Sequence, residues 1–164
     1  MFHRRGNVCR QELVLHQGDT AMWERAIVQC VADKDRVIHT ITATATALAG
    51  FSEADVLRLR LALDEALVNA HKHGHLGDWS KPIQVRYHVN ENGVAAEIED
   101  RGCGFDPTQV PDPLAPGNLE RGSGRGLFLM RTYMSNVCHN VEGNCICFCK
   151  HCPGNTRPDS SPSR

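Results

Sequence analysis

Asn92-Gly93 is the tightest local constraint on what this chain can fold into. It separates two runs with strand character, Ile83-Gln84-Val85-Arg86-Tyr87-His88-Val89 and Val94-Ala95-Ala96-Glu97-Ile98-Glu99. Asn and Gly tolerate the positive φ of a tight hairpin turn, so Glu91-Asn92-Gly93 is expected to fold the second run back as an antiparallel partner of the first. A second hairpin is predicted near the end, with 136–141 and 144–150 pairing around Glu142-Gly143. Residues 21–31 alternate as a strand does, with Ala26, Val28 and Cys30 on one face and Ile27 and Gln29 on the other, although a helix is the alternative there.

Helical spacing marks three further segments. Over 35–49, Val37, Ile38, Ile41, Ala45 and Leu48 recur at helical steps and Gly50 supplies the stop, against the low propensity of several threonines. Ser52 suits the N-cap of the next helix, with Asp55 as a weaker relative of the capping-box acid. Leu59, Leu63, Ala66, Leu67 and Ala70 then form its apolar stripe, which Gly74 and Gly77 end. A short helix over 127–134 follows a glycine-rich run. The order strand, helix, helix, hairpin, loop, helix, hairpin predicts an α+β fold, a two-layer α/β sandwich whose mixed, mostly antiparallel sheet carries helices on one face.

The 164 residues suit a single domain, here 21–152, between a flexible N-terminus over 1–20 and a disordered polar tail over 153–164. With 18 Lys+Arg against 19 Asp+Glu, the chain has no overall field for nucleic acid, and no direct nucleic-acid partner is expected. No signal-like start and no long apolar run stand in the sequence, so no membrane partner is expected and the predicted location is cytoplasmic. In that compartment the eight cysteines are expected as reduced thiols. Cys145, Cys147 and Cys149 would share one face of a strand and pack as small hydrophobes, with a zinc or redox site as the alternative.

Three segments carry chemistry. Glu65 and Asn69 lie four apart on the best helix, on a different face from the Leu59/Leu63/Ala66 stripe. A carboxylate that can take a proton one turn from an amide oxygen that can bind a hard cation suits a Mg²⁺–phosphate site, and a solvated polar face is the alternative. Asp100-Arg-Gly102-Cys-Gly104 follows a strand: a carboxylate there can accept from an exocyclic amine, and the glycines let a flat ring approach the backbone. An ordinary tight turn is the other reading. Gly122-Ser-Gly124-Arg-Gly126 precedes a helix, whose first N–H groups can cradle phosphate. No Gly-Lys-Ser/Thr follows it, so it is no Walker motif.

Taken together and in order, Glu65-Ala-Leu-Val-Asn69-Ala-His-Lys-His-Gly74, Asp100-Arg-Gly102-Cys-Gly104 and Gly124-Arg-Gly126-Leu-Phe-Leu-Met resemble the N, G1 and G2 boxes of the GHKL ATPase superfamily. The Phe51-Ser-Glu motif and the Gly126-Leu-Phe-Leu-Met run look most like the anti-sigma-factor serine/threonine kinases of bacterial partner-switching systems. The resemblance implies a GHKL ATPase fold with ATP and Mg²⁺ as cofactors. It implies Glu65 as general base, Asn69 as the Mg²⁺ ligand and Asp100 as reader of the adenine amino group, with Gly102 and Gly104 making room for the ring. Gly124, Gly126 and Leu127 would offer N–H groups to the phosphates, Arg125 would meet the γ-phosphate, and 107–122 would form a lid. The implied function is a kinase that phosphorylates a Ser or Thr of a small anti-anti-sigma antagonist and sequesters another partner such as a sigma factor, in a homodimer. A nucleotide-dependent binding module without kinase activity is the alternative. His71, His73 and His75 alternate at the end of the N-box helix, and His71 and His75 are expected to be partly exposed.

Overall fold

The computed structural model describes residues 23–104 and 125–152. Five strands form one sheet: β1 (Glu24–Val28), β2 (Ile83–Asn90), β3 (Gly93–Glu99), β4 (Asn136–His139) and β5 (Cys145–His151), in the spatial order β1-β2-β3-β5-β4. Each of the four pairings is antiparallel, within the mostly antiparallel expectation. The Asn-Gly hairpin forms as read, with Asn90 opposite Gly93 and Gln84 opposite Glu99. Three helices, α1 (Val31–Ala49), α2 (Glu53–Asn69) and α3 (Arg125–Tyr133), complete the α+β fold. The expected flexible N-terminus, lid and polar tail lie outside the described residues. None of the described helices is long and apolar enough to cross a membrane.

The pleat sorts side chains between two faces. On one, Val28, Ile83, Val85, Tyr87, Val94, Ala96, Ile98 and Phe148 meet Ile38, Ile41 and Ala45 of α1 and Leu59, Leu63 and Leu67 of α2 in the main core. On the other, Ala95, Cys145, Cys147 and Cys149 form a smaller buried cluster joined by Trp23 and Cys138. The thiols thus share a face while Ile146 and Phe148 point into the main core, as the alternation predicts. Cys138 is disulfide-bonded, which corrects the expectation of reduced thiols throughout.

The helix ends explain two shifts from the sequence reading. α1 begins at Val31, not near Asp35, because Cys30 acts as its N-cap: Cys30 Sγ accepts the Asp33 N–H at 3.4 Å and Asp33 Oδ2 accepts the Gln29 N–H at 3.1 Å. This is a variant of the capping box, with a thiol in the hydroxyl's place and the acid taking the N–H one residue ahead of the cap, and cysteine is not among the usual caps. Within α1, the hydroxyls of Thr40, Thr42, Thr44 and Thr46 each donate to the carbonyl four residues back, which satisfies them inside the helix. Gly50 ends it at φ +61°.

At the N-terminus of α2, Ser52 Oγ accepts the Asp55 N–H at 3.2 Å and donates to Asp55 Oδ2 at 2.7 Å. Asp55, 6% exposed, also meets the Lys150 ammonium of β5 at 3.1 Å. That ammonium donates to the Tyr133 carbonyl at the end of α3 at 3.4 Å, so one cation ties α2, α3 and the sheet together. The Ser52 hydroxyl, followed by Lys150 and Arg58, holds the Asp55 carboxyl below its ordinary range against the effect of burial. Its contribution to stability is therefore present above about pH 4 and lost as pH falls through the lowered value. Lys150→Ala should destabilise the fold by about 3 kcal/mol in urea unfolding, because it leaves a buried carboxylate short of its partner. Asp55→Asn combined with Lys150→Met should cost less than the sum of the two single changes.

Candidate functional site

A cavity of about 690 Å³ opens between α2, the end of β3, the start of α3 and the turn joining β4 to β5. Glu65 and Asn69 line one flank. They are half-buried on the side of α2 next to its apolar stripe, which presses Leu59, Leu63, Ala66 and Leu67 into the core. Beyond Asn69 the helix widens into a single π turn, Ala70–Gly74. Such turns insert an extra residue and re-aim the side chains beyond it. Here the turn swings Lys72 and His73 to the cavity and turns His75 inward.

Asp100 forms the opposite wall. Its N–H donates to the Asn144 carbonyl at 2.9 Å, and Asn144 Nδ2 donates to the Asp100 carbonyl at 3.1 Å. Asp100 Oδ1 accepts the Gly102 N–H at 2.7 Å. Burial pushes the Asp100 carboxyl above the ordinary carboxylate range, opposed first by that N–H. The carboxylate is wedged against glycine: a Cβ at Gly74 would collide with it, and a Cβ at Gly102 would lie 2.7 Å from the Gly74 Cα and 2.8 Å from Asp100 Oδ1. Glycine is needed at both positions because backbone and carboxylate already fill the space of a side chain.

Gly126 and Leu127, in the first turn of α3, reach the cavity between the two walls. A Cβ at Gly126 would run into Glu65 Oε2, which places the Glu65 carboxylate against the start of that helix. The cavity thus brings together Glu65, Asn69, Asp100, Gly104, Gly126 and Leu127. Gly102 packs behind Asp100 and is not part of the lining, and Arg125 is exposed at the helix start, also off the lining. Gly124 and the expected lid lie outside the described residues. Asn144, Gly143 and His139 line the cavity too, a place the sequence does not signal because they arrive from the last hairpin by tertiary contact alone. Burial, and then nearby Arg131, lower the His139 imidazole to about 4, so its ring is neutral at pH 7.

The three histidines separate. His71 stacks on Trp79 with ring centroids 3.7 Å apart, and His73 is exposed. His75 is 0% exposed, which corrects its expected partial exposure: it follows the π turn, which interrupts the regular helical spacing from His71. Among the described residues no group of three or more His, Cys, Asp or Glu is arranged to hold a metal by itself. Gly102→Ala should destabilise by about 1–3 kcal/mol in urea unfolding, since its methyl meets backbone. Gly126→Ala, whose methyl meets only a carboxylate tip, should change stability by less than about 1 kcal/mol.

The sequence profile of the histidine kinase-like ATPase domain matches residues 30–150. The chain is also similar to the serine-protein kinase RsbW of Listeria innocua serovar 6a, 33% identical over 95 residues that cover 54% of this chain and 60% of that protein. To the serine-protein kinase RsbW of Bacillus subtilis strain 168 it is 29% identical over 113 residues, 64% of this chain and 70% of that protein. The match to RsbW of Bacillus licheniformis is 32% over 94 residues, 54% and 59% of the two chains. The chain therefore spans about 60% of the length of the first of these relatives. The profile match runs from the cap of α1 through β5 and takes in both walls of the cavity, so the chain belongs to the histidine kinase-like ATPase domain family.

Proposed function

We propose that this chain is an ATP-binding serine/threonine protein kinase and an anti-sigma-type switch. It phosphorylates a Ser or Thr of a small antagonist protein and sequesters an alternative partner, such as a sigma factor. The observation that carries the reading is the cavity itself, with the Glu65/Asn69 pair on one flank, Asp100 on the other and the N-terminal turn of α3 between. The similarity to serine-protein kinases supports phosphoryl transfer to serine.

In this reading adenine lies at the Asp100 wall, where the carboxylate accepts from its amino group and Gly104 leaves room for the ring. The phosphates run toward Asn69, and the N–H groups of Gly126 and Leu127 meet them with the positive end of the α3 dipole. The oxygen donor at Asn69, one turn from a carboxylate, fits Mg²⁺, which takes few protein ligands beside substrate phosphates. When bound, that ion would neutralise charge on the phosphate oxygens. Glu65 accepts the proton of the attacking Ser or Thr hydroxyl as its oxygen bonds the γ-phosphorus, and the bond to the β–γ bridging oxygen breaks to leave ADP. The new phosphate adds roughly −1.5 to −2 charge to the antagonist at the interface and drives its release, which frees the kinase for its other partner.

Thermal unfolding with Mg²⁺–ATP, Mg²⁺–ADP and ATP plus EDTA tests the site. A ligand at about 100 times its Kd adds about 2.7 kcal/mol, a shift of several degrees for a domain of this size. The shift should need Mg²⁺ and should vanish in Asn69→Ala. Glu65→Ala should keep the shift yet fail to transfer labelled phosphate to an antagonist protein. Transfer at the wild-type rate by Glu65→Ala would remove Glu65 as the base. Nucleotide binding by the wild type with no transfer would leave a binding module.

A further inference from the structure

His75 lies under the loop that follows β3, fully buried. Its Nε2 accepts the Arg101 N–H at 2.9 Å, between Asp100, whose carboxylate walls the cavity, and Gly102, whose N–H that carboxylate holds. Two successive backbone N–H groups of the loop are thus pinned by side chains, one by the imidazole and the other by Asp100 itself. Accepting at Nε2 puts the proton of the neutral ring on Nδ1, which has no hydrogen-bond partner among the described residues. The ring's one protein hydrogen bond there is its hold on the loop.

We propose that His75 is a positioning residue for the nucleotide pocket: its Nε2 lone pair fixes Arg101, and with it the Asp100–Gly102 turn, in the shape that receives the base, and protonation of the ring releases that turn. The proposal rests on the ATP-binding reading above. A protonated imidazole is a donor at both nitrogens, so Nε2–H would confront the Arg101 N–H across a gap that holds one proton, and the loop has to move. The groups that face the ring are Asp100 at the end of β3, His71 in the π turn, and Asp78 and Lys81 ahead of β2. Burial is the largest influence and disfavours the charged ring. Lys81 and His71 act with it, while Asp100 and Asp78 act against it. The net direction is downward from 6.5. The latch is therefore closed at neutral pH and opens only as pH falls through the lowered value of the folded ring. The same change lowers stability, because below about pH 6.5 the unfolded chain takes up a proton that the folded ring resists.

Asp100 also gains a proton in acid, so a loss of nucleotide affinity at low pH does not by itself identify His75. Calorimetric titration of the full chain with Mg²⁺–ADP between pH 7.5 and 5.5 separates the two when wild type is compared with His75→Gln and His75→Phe. A glutamine carbonyl can accept near the position of Nε2 without titrating. At pH 7.5 His75→Gln should bind like wild type, and His75→Phe about 10-fold more weakly, the value of one hydrogen bond to a part-buried N–H. As the ring protonates, wild type should fall by about 10-fold relative to His75→Gln. A second readout needs no ligand: the Arg101 amide resonance should titrate in wild type below pH 6.5 and stay flat in His75→Gln. Wild-type affinity for His75→Phe at pH 7.5, an equal acid loss in His75→Gln, or a flat Arg101 resonance in wild type would each overturn the proposal. Should His75→Phe not fold, the glutamine variant and the resonance decide alone. No nucleotide binding by wild type at pH 7.5 with a titrating Arg101 amide would overturn the ATP reading, and with it the latch's role in binding, while showing that the latch exists.

Discussion

The wedge of the Asp100 carboxylate between Gly74 and Gly102 is the contact on which the site depends. It joins three segments far apart in sequence: the π turn that ends the α2 segment, the end of β3 and, through Asn144, the turn between β4 and β5. The wedge requires two residues without side chains, because the space of a Cβ at either position is taken. Since α2 runs unbroken from Ser52 into that turn, fixing the turn against Asp100 also fixes Glu65 and Asn69 on the opposite flank of the cavity. A carboxylate buried this way is raised above its ordinary range, and the Gly102 N–H opposes that rise.

α3 is held to α2 at both ends. Gly126 packs against the Glu65 carboxylate at one end, and at the other the Tyr133 carbonyl accepts from the same Lys150 ammonium that meets Asp55. Buried ion pairs recover their desolvation cost only where further hydrogen bonds complete the geometry. Here Ser52 supplies one to the carboxylate and Tyr133 one to the ammonium. The helix that offers its N-terminal turn to the cavity is thereby registered against the helix that carries Glu65 and Asn69. Under the proposed function, phosphate binding on one helix and proton transfer to the other would call for that kind of fixed relation.

Much of this was legible from local pattern. The Asn92-Gly93 hairpin, the Gly50 stop, the Ser52 cap and the inward and outward alternation of Cys145–His151 all formed as read, because each depends on neighbours a few residues away. Glu65 and Asn69 share a flank because helical geometry alone puts i and i+4 together. Other features had no local signal. A thiol caps α1 because Asp33 completes the pair, although cysteine is a poor cap by propensity. His75 is buried because a π turn intervenes, and nothing in Ala70-His71-Lys72-His73-Gly74 distinguishes that turn from an ordinary helix end.

What the amino-acid order determined alone is the set of elements and the chemistry they carry: two hairpins, three helices, a carboxylate–amide pair and two glycine-rich segments. These arise from φ preferences, side-chain periodicity and capping, which act over a turn or a single hairpin. The tertiary structure decided the strand order β1-β2-β3-β5-β4, the convergence of Glu65, Asn69, Asp100 and Gly126 on one cavity, and the burial of His75 under Arg101. Those arrangements form where close packing forces distant backbone and side chains to share space, and no local rule of the chain records which segments will meet.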